Sequence, residues 1–262
     1  MNKTIQLSLL LSLFLGAFFI SCNKDDGKGH AFDYINLEYY EHFTAEGSDI
    51  YFFLSTIETF PCSNFQLEVS VEKSGNHTDI QIQDLDVPDV CITSIGPATQ
   101  QIVVGPVNEA AGSFTVWVND KQHDFSVQIN QDLIAVSTGQ LFENHLFFSS
   151  DSLLRIPQNT FWGYTLAGSM SKKPDFLDDL MEEFIKAGAK LITLPDGNYY
   201  YFAVKEGKVY FDHIKQEVKT FYFQFENSMT ELVEIYEKVM EGYEGEEIQI
   251  RMFNTRGERF VF

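Results

Sequence analysis

Short segments with alternating apolar and polar side chains fill residues 32–130, and they constrain the fold more than any other feature. The clearest pair is 113–118 and 125–129, which flank a polar turn at 119–122. Strands with one buried face alternate in this way, whereas amphipathic helices repeat every 3.6 residues. About seven such segments in about 100 residues are typical of a β-sandwich. We therefore expect a β-sandwich over residues 32–130.

The same strand pattern resembles the immunoglobulin-like (Ig-like) modules that are common in surface lipoproteins. The resemblance lies in the number of short strands and in the turn residues between them, such as Gly105 and Pro106. It implies that residues 32–130 form an Ig-like domain. The alternation weakens after residue 130, and we interpret 131–158 as a connecting segment with one or two strands of its own.

From residue 159 the sequence predicts two amphipathic helices. In the first, apolar residues recur at helical spacing from Phe176 to Ile185. The second begins at Ser228 and Glu231, which match a capping box. A strand-like segment precedes each helix and two follow it, so a βαββ order occurs twice. We expect residues 159–262 to form an α+β domain, in which two βαββ units make one antiparallel sheet with both helices on one face.

Alternation along these strands predicts what each face of that sheet carries. The helix-facing set is expected to be apolar and comprises Phe221, Phe223, Phe225, Ile248, Ile250, Met252, Phe260, Phe262, Tyr200 and Phe202. The opposite face is expected to be rich in tyrosine and comprises Tyr199, Tyr201, Tyr210, Tyr222, Gln224, Gln249 and Arg251. Such a face can stack on a sugar ring or anchor a protein ligand. The alternative is that it packs on the first domain or on the connecting segment.

The first residues of the chain have the pattern expected of an export signal. Lys3 leads into an apolar run at residues 5–20, which ends at Ser21 and Cys22. The run is shorter than the roughly 20 residues of a membrane-spanning helix. With the cysteine and the polar stretch after it, it resembles a bacterial lipoprotein signal. The resemblance implies that residues 1–21 are a removed signal peptide and that Cys22 carries the lipid anchor; an ordinary cleaved signal with an incidental cysteine is the alternative.

Lys24, Asp25 and Asp26 follow the cysteine closely. They resemble the Lys-acidic-acidic export tag that sends some Bacteroidota lipoproteins to the outer face of the outer membrane. The resemblance implies a lipid-anchored outer-membrane protein that faces the cell exterior, and a protein facing the periplasm is the alternative. In both cases we expect residues 22–31 to be a flexible tether.

Cys62 and Cys91 form an even pair in the rest of the chain. In an exported protein, such a pair indicates a disulfide. Two separate buried thiols are the alternative.

The net charge and the absence of known catalytic motifs limit the classes of function that the chain can have. The formal charge of −20 argues against nucleic acid as a partner. The sequence contains no GxSxG, HExxH, P-loop or GxGxxG motif, and its histidines form no HxH or i, i+4 pair, so we predict no catalytic residue, metal site or cofactor. We expect a non-enzymatic binding or adhesion role, with a glycan or protein ligand. The alternatives are an accessory subunit of an outer-membrane complex and a hydrolase that uses unidentified carboxylates.

Overall fold

The computed structural model describes residues 32–138, 145–167, 175–212, 214 and 218–262. The predicted signal peptide and tether lie outside the described residues, and so do Cys22, Lys24, Asp25 and Asp26. Phe32–Phe262 form one compact unit. Within the described ranges, no helix is both long enough and apolar enough to cross a membrane.

Ten strands in the first part of this unit form one continuous sheet. They are β1 (Ile35–Thr44), β2 (Gly47–Thr56), β3 (Gln66–Ser74), β4 (His77–Asp86), β5 (Thr99–Pro106), β6 (Gly112–Val118), β7 (Lys121–Ile129), β8 (Leu133–Thr138), β9 (Leu146–Phe148) and β10 (Ser152–Leu154). Their order is β10-β8-β7-β6-β4-β3-β5-β2-β1-β9. Residues 131–158, expected as a connection, therefore supply three strands to the sheet, because β8, β9 and β10 pair with β7, β1 and β8.

This sheet folds over itself, so that strands far apart in its order pack face to face. The ring centroid of Phe52 in β2 lies 5.1 Å from that of Phe114 in β6 and 6.0 Å from that of Phe125 in β7. All three side chains are buried, and each alternates with polar or partly exposed neighbours along its strand. The expected disulfide is confirmed: Cys62 and Cys91 are bonded, with their Cα atoms 5.2 Å apart.

In the described part of the chain, the later elements are two α-helices, a short 3₁₀ helix (Glu241–Tyr243) and seven strands. They are β11 (Thr160–Ala167), α1 (Phe176–Lys186), β12 (Gly197–Asn198), β13 (Ala203–Lys205), β14 (Lys208–Tyr210), β15 (Lys219–Gln224), α2 (Met229–Met240), β16 (Ile248–Asn254) and β17 (Arg259–Val261). Four of the strands form an antiparallel sheet in the order β15-β11-β16-β17.

Both helices pack on one face of this four-stranded sheet. The Ser228 hydroxyl caps α2 by accepting a hydrogen bond from the Glu231 N–H, as the capping signature predicts. Phe223 of β15 and Ile250 of β16 are fully buried against the helices, in one cluster with Leu180 of α1. The predicted alternation is therefore correct along β15 and β16, where the strands are regular.

The two strands predicted after α1, in the first βαββ unit, do not join the four-stranded sheet. Lys190 forms a single bridge with Gln224, and residues 191–194 continue as a loop. Residues 199–202 form a turn, closed by a hydrogen bond from the Tyr199 N–H to the Phe202 carbonyl. The chain then forms a separate three-stranded sheet, β12-β13-β14. The expectation of one sheet from two equal units was wrong, because this turn interrupts the alternation on which it depended.

Besides the sandwich core and the cluster between the helices and the four-stranded sheet, a third apolar cluster joins the two parts of the compact unit. It lies on the face of β11 opposite the helices, where Trp162 contacts Phe202 and, with ring centroids 6.0 Å apart, Phe43 of β1. The β16–β17 turn also approaches β1 closely: a Cβ at Gly257, whose φ is 74°, would lie 2.3 Å from the Phe43 carbonyl oxygen. The C-terminal elements are therefore packed on the end of β1 rather than joined to it by a loose linker.

Candidate functional site

Three of the tyrosines predicted for an open face instead pack within the protein and donate hydrogen bonds to its backbone. The Tyr199 hydroxyl donates to the Pro195 carbonyl at 2.9 Å, and the Tyr201 hydroxyl donates to the Glu41 carbonyl at 2.9 Å. The Tyr222 hydroxyl donates to the Gly207 carbonyl at 3.4 Å. These side chains belong to the third apolar cluster. They pack the four-stranded sheet against the three-stranded sheet and β1, which is the packing alternative raised above.

The other members of the predicted face do not lie together either. Tyr210 is exposed on β14, with the Lys205 ammonium 6.0 Å from its ring centroid. The Gln224 side chain donates to the Gln158 carbonyl. Gln249 and Arg251 are exposed on β16. The seven residues therefore form no single surface, because Tyr199 and Tyr201 leave the four-stranded sheet at the 199–202 turn.

A different group of aromatic rings forms a continuous surface on the sandwich. Tyr200 stacks on Tyr40, with ring centroids 4.2 Å apart and planes 6° from parallel. Tyr40 in turn stacks beside Tyr51, at 5.6 Å and 22°. His42 meets the edge of Tyr51 at 4.9 Å. We call Tyr40, His42, Tyr51 and Tyr200 the aromatic surface.

Strand alternation and strand register explain the positions of Tyr40, His42 and Tyr51. Ile35, Leu37 and Tyr39 of β1 point into the sandwich core, so Tyr40 and His42 lie on the other face of the strand, where Tyr40 is buried beneath Tyr200 and His42 is half-buried. Tyr51 of β2 lies directly opposite Tyr40, and such cross-strand neighbours bring their side chains into contact.

Tyr200 reaches the surface through an unusual backbone conformation. Its φ is 67°, in the left-handed region that a bulky side chain rarely adopts. The Tyr200 N–H donates to the Asn198 side chain, and the Tyr201 ring meets Tyr200 edge-on at 5.4 Å. Such strain costs on the order of 1–3 kcal/mol, so it persists only where surrounding contacts enforce it. The contacts on both sides of Tyr200 enforce the conformation that stacks its ring on Tyr40.

Polar groups border the aromatic surface. The Gln101 amide of β5 donates to the Tyr40 hydroxyl. Glu38, one outward position before Tyr40, accepts a hydrogen bond from the Asn36 amide at 3.2 Å. Asp49 lies directly opposite His42. Flat rings with amide, carboxylate and imidazole groups around them can stack on an apolar ligand face and bond its polar edge.

Two tyrosine hydroxyls of this surface, those of Tyr40 and Tyr200, are held in the neutral form. Burial raises the pKa of Tyr40 to about 12, and the Tyr200 and Tyr51 hydroxyls beside it act in the same direction. The pKa of Tyr200 is also raised, first by burial and then by the Glu38 carboxylate. Both hydroxyls therefore keep a proton to donate throughout the physiological pH range.

A cleft of about 690 Å³ opens at the C-terminal end of β1, between the β1–β2 turn, the segment after β10 and the β16–β17 turn. One wall of this cleft contains an ion pair. Arg155 donates from Nε and Nη2 to the two oxygens of Glu41, both at 2.8 Å, and from Nη1 to the Asn130 carbonyl. The Ser48 hydroxyl donates to the same carboxylate at 2.5 Å. This pair links β1 to the segment after β10, and the hydrogen bonds that Arg155 donates to Glu41 raise the pKa of Arg155.

Sequence reasoning missed the aromatic surface for an identifiable reason. The alternation in residues 35–43 is a signal that Tyr40 and His42 point outward, and it was available. The contact of Tyr40 with Tyr200 joins positions 160 residues apart through a strained turn, and no local pattern indicates it.

Two findings bear on metal binding and on related proteins. Across the described residues, no group of three or more His, Cys, Asp or Glu side chains could hold a metal ion. The chain matches no curated protein and no solved structure. A family model described as the ORF11 beta-sandwich domain matches residues 58–127, which run from the loop after β2 into β7. The match and the observed sheet confirm the β-sandwich.

Proposed function

We propose that this chain is a non-enzymatic, lipid-anchored binding protein of the outer membrane, facing the cell exterior, and that the aromatic surface takes a glycan. We interpret its architecture as an Ig-like module that supports a C-terminal α+β module. The stacking of Tyr200 on Tyr40 supports this proposal most strongly, because a strained turn of the C-terminal part completes a surface that begins on the sandwich.

The chemistry of the surface favours a sugar over a wholly apolar ligand. The C–H face of a sugar ring is flat and apolar and can stack on Tyr51 and Tyr200, while its hydroxyls need both donors and acceptors. Glu38 supplies an acceptor, and Gln101 and His42 supply both kinds of group. The net charge of −20 repels acidic ligands. We therefore propose a neutral glycan.

Binding is expected to depend on the rings. Tyr51→Ala should weaken the binding of a neutral oligosaccharide about five- to thirtyfold, because truncating an aromatic anchor costs about 1–2 kcal/mol and about 1.4 kcal/mol is tenfold. Ligands would first be identified by screening neutral oligosaccharides, and affinities would then be measured by titration calorimetry. Tyr210→Ala removes an exposed tyrosine outside the surface and is the matched control.

A second variant separates binding from packing. Tyr200→Gly removes the ring but also relieves the strained φ, so the stability change should stay within about 1 kcal/mol while affinity falls. The glycan proposal would be wrong if no neutral glycan bound, or if Tyr210→Ala weakened binding as much as Tyr51→Ala.

The anchor makes a separate prediction. Cells that express the chain should incorporate labelled fatty acid into the wild-type protein, and Cys22→Ser should abolish the label, because Cys22 is the proposed acceptor. Cys62→Ser should keep the label, since Cys62 is bonded to Cys91. An unlabelled wild-type protein would contradict the anchor, and protease resistance of the labelled protein on intact cells would contradict surface exposure.

A further inference from the structure

Two loops at one end of the sandwich are joined into a single rigid tip. They are residues 57–64, after β2, and residues 87–98, before β5. The Cys62–Cys91 disulfide links them, and Phe60 and Gly96 exchange two backbone hydrogen bonds at 2.7 and 3.1 Å.

The side chain of Asn64 strengthens the link. Its amide nitrogen donates to the Val90 carbonyl at 2.8 Å, and its oxygen accepts from the Ile92 N–H at 3.0 Å. The loops are therefore held in place by a covalent bond and by hydrogen bonds in both directions.

This rigid tip presents aliphatic side chains to solvent. Ile57, Val90, Ile92 and Ile95, which we call the aliphatic tip, have exposed fractions of 54%, 76%, 58% and 77%. Residues 90–98 contain no charged side chain, and the two loops contain no lysine or arginine. A clustered apolar patch of this kind marks a contact with a partner or a membrane. Because the disulfide and the hydrogen bonds fix the conformation of the two loops, these side chains are held in their exposed positions.

The tip lies where the described chain begins. The Ile57 N–H donates to the Tyr34 carbonyl at 3.1 Å, and the Asp33 N–H donates to the Glu58 carboxylate at 3.0 Å. Cys22 precedes Phe32 by ten positions, and ten residues span at most about 35 Å. If Cys22 is lipidated, as proposed above, the bilayer surface lies within that reach of Phe32, next to the residues that bond to the tip.

We propose that the aliphatic tip inserts into the interfacial region of the membrane to which the chain is anchored. Lipid is the occupant that this position favours, because the anchor brings the bilayer to the same end of the sandwich. Apolar side chains enter this region to a depth of about 5–10 Å below the headgroups. With no basic residue in the loops, insertion depends on apolar burial and needs no anionic lipid.

Insertion would orient the protein. The cleft and the β1–β2 turn lie at the opposite end of β1 from Ile35, and the aromatic surface lies on the strands between the two ends. The tip would therefore point the C-terminal elements away from the bilayer and leave the aromatic surface open to the side. A lipid tether alone would leave the protein free to tumble.

The test uses the chain from Cys22 to Phe262, coupled through the Cys22 thiol to a maleimide phospholipid in zwitterionic vesicles. Cys62 and Cys91 are bonded to each other, so Cys22 is the reactive thiol, and the result does not depend on whether cells lipidate Cys22. Ile92→Trp and Val90→Trp report on the tip. Leu191→Trp, at a residue 68% exposed in the C-terminal part, is the control. Wild-type emission from Trp117 and Trp162 is subtracted.

Lipids brominated in the upper acyl chain should quench roughly half or more of the emission from either tip reporter, because bromine at that depth meets an inserted interfacial side chain. Emission of Leu191→Trp should stay unchanged, and a higher anionic lipid fraction should not increase the quenching. Equal quenching of tip and control reporters, or none at the tip, would overturn the proposal. Absent quenching would assign the aliphatic tip to a protein partner.

Discussion

Arg155→Ala is expected to lower the free energy of unfolding by about 3–5 kcal/mol, because it leaves the Glu41 carboxylate buried without its ionic partner. The Glu41 side chain is only 6% exposed, and Arg155 makes two bonds of 2.8 Å to it. The loss would be a large fraction of the 5–15 kcal/mol that is typical for a folded protein. Urea unfolding measures it directly.

Two further variants identify the cause of that loss. Arg259→Ala removes an exposed arginine from the edge strand β17, so its expected change is within about 0.5 kcal/mol. The double variant Glu41→Leu/Arg155→Met removes both charges and should recover much of the stability, because the uncompensated charge is then absent. A loss below about 1 kcal/mol for Arg155→Ala would show that the pair does not hold β1 to the segment after β10.

Removing the disulfide is the other large expected effect. The double variant Cys62→Ala/Cys91→Ala should lose about 3–4 kcal/mol, because the bond closes a loop across a sequence separation of 29 residues and so restricts the unfolded chain. Reductant should lower the unfolding midpoint of the wild-type protein to about that of the variant, and it should leave the midpoint of the variant unchanged. An unchanged wild-type midpoint, with reduction verified by mass, would contradict this expectation.

Removal of the disulfide should also make the aliphatic tip more mobile. Amide hydrogen exchange at Ile92 and Gly96 is expected to accelerate in the double cysteine variant, because the two loops then keep only their hydrogen bonds. Unchanged exchange there would show that those bonds hold the tip without the disulfide.

The regular strands were predictable from the sequence, and so were the helices. Phe223 and Ile250 lie on the helix-facing side because alternation continues without interruption along β15 and β16. The cap of α2 was predictable because Ser228 and Glu231 interact within one turn. Each of these features depends on residues a few positions apart.

Features that depend on distant residues were not predictable. Phe202 was expected to face the helices, but it lies in the third cluster, because the turn at Tyr200 reverses the chain before β13. The same turn moves Tyr200 from the predicted helix face to the ring of Tyr40. A positive φ at a tyrosine leaves no mark on the sequence pattern, and the strands that it joins share no local period.

The most direct test of the glycan site is saturation-transfer NMR on the oligosaccharide retained from the screen. Irradiating the aromatic protons of the protein should transfer magnetisation to the C–H protons on one face of a sugar ring, because that face is proposed to stack on Tyr51 and Tyr200. The transfer should persist in Tyr210→Ala and be lost in Tyr51→Ala. A bound sugar that receives no magnetisation from aromatic protons, or receives it equally in Tyr51→Ala, would contradict the proposed site.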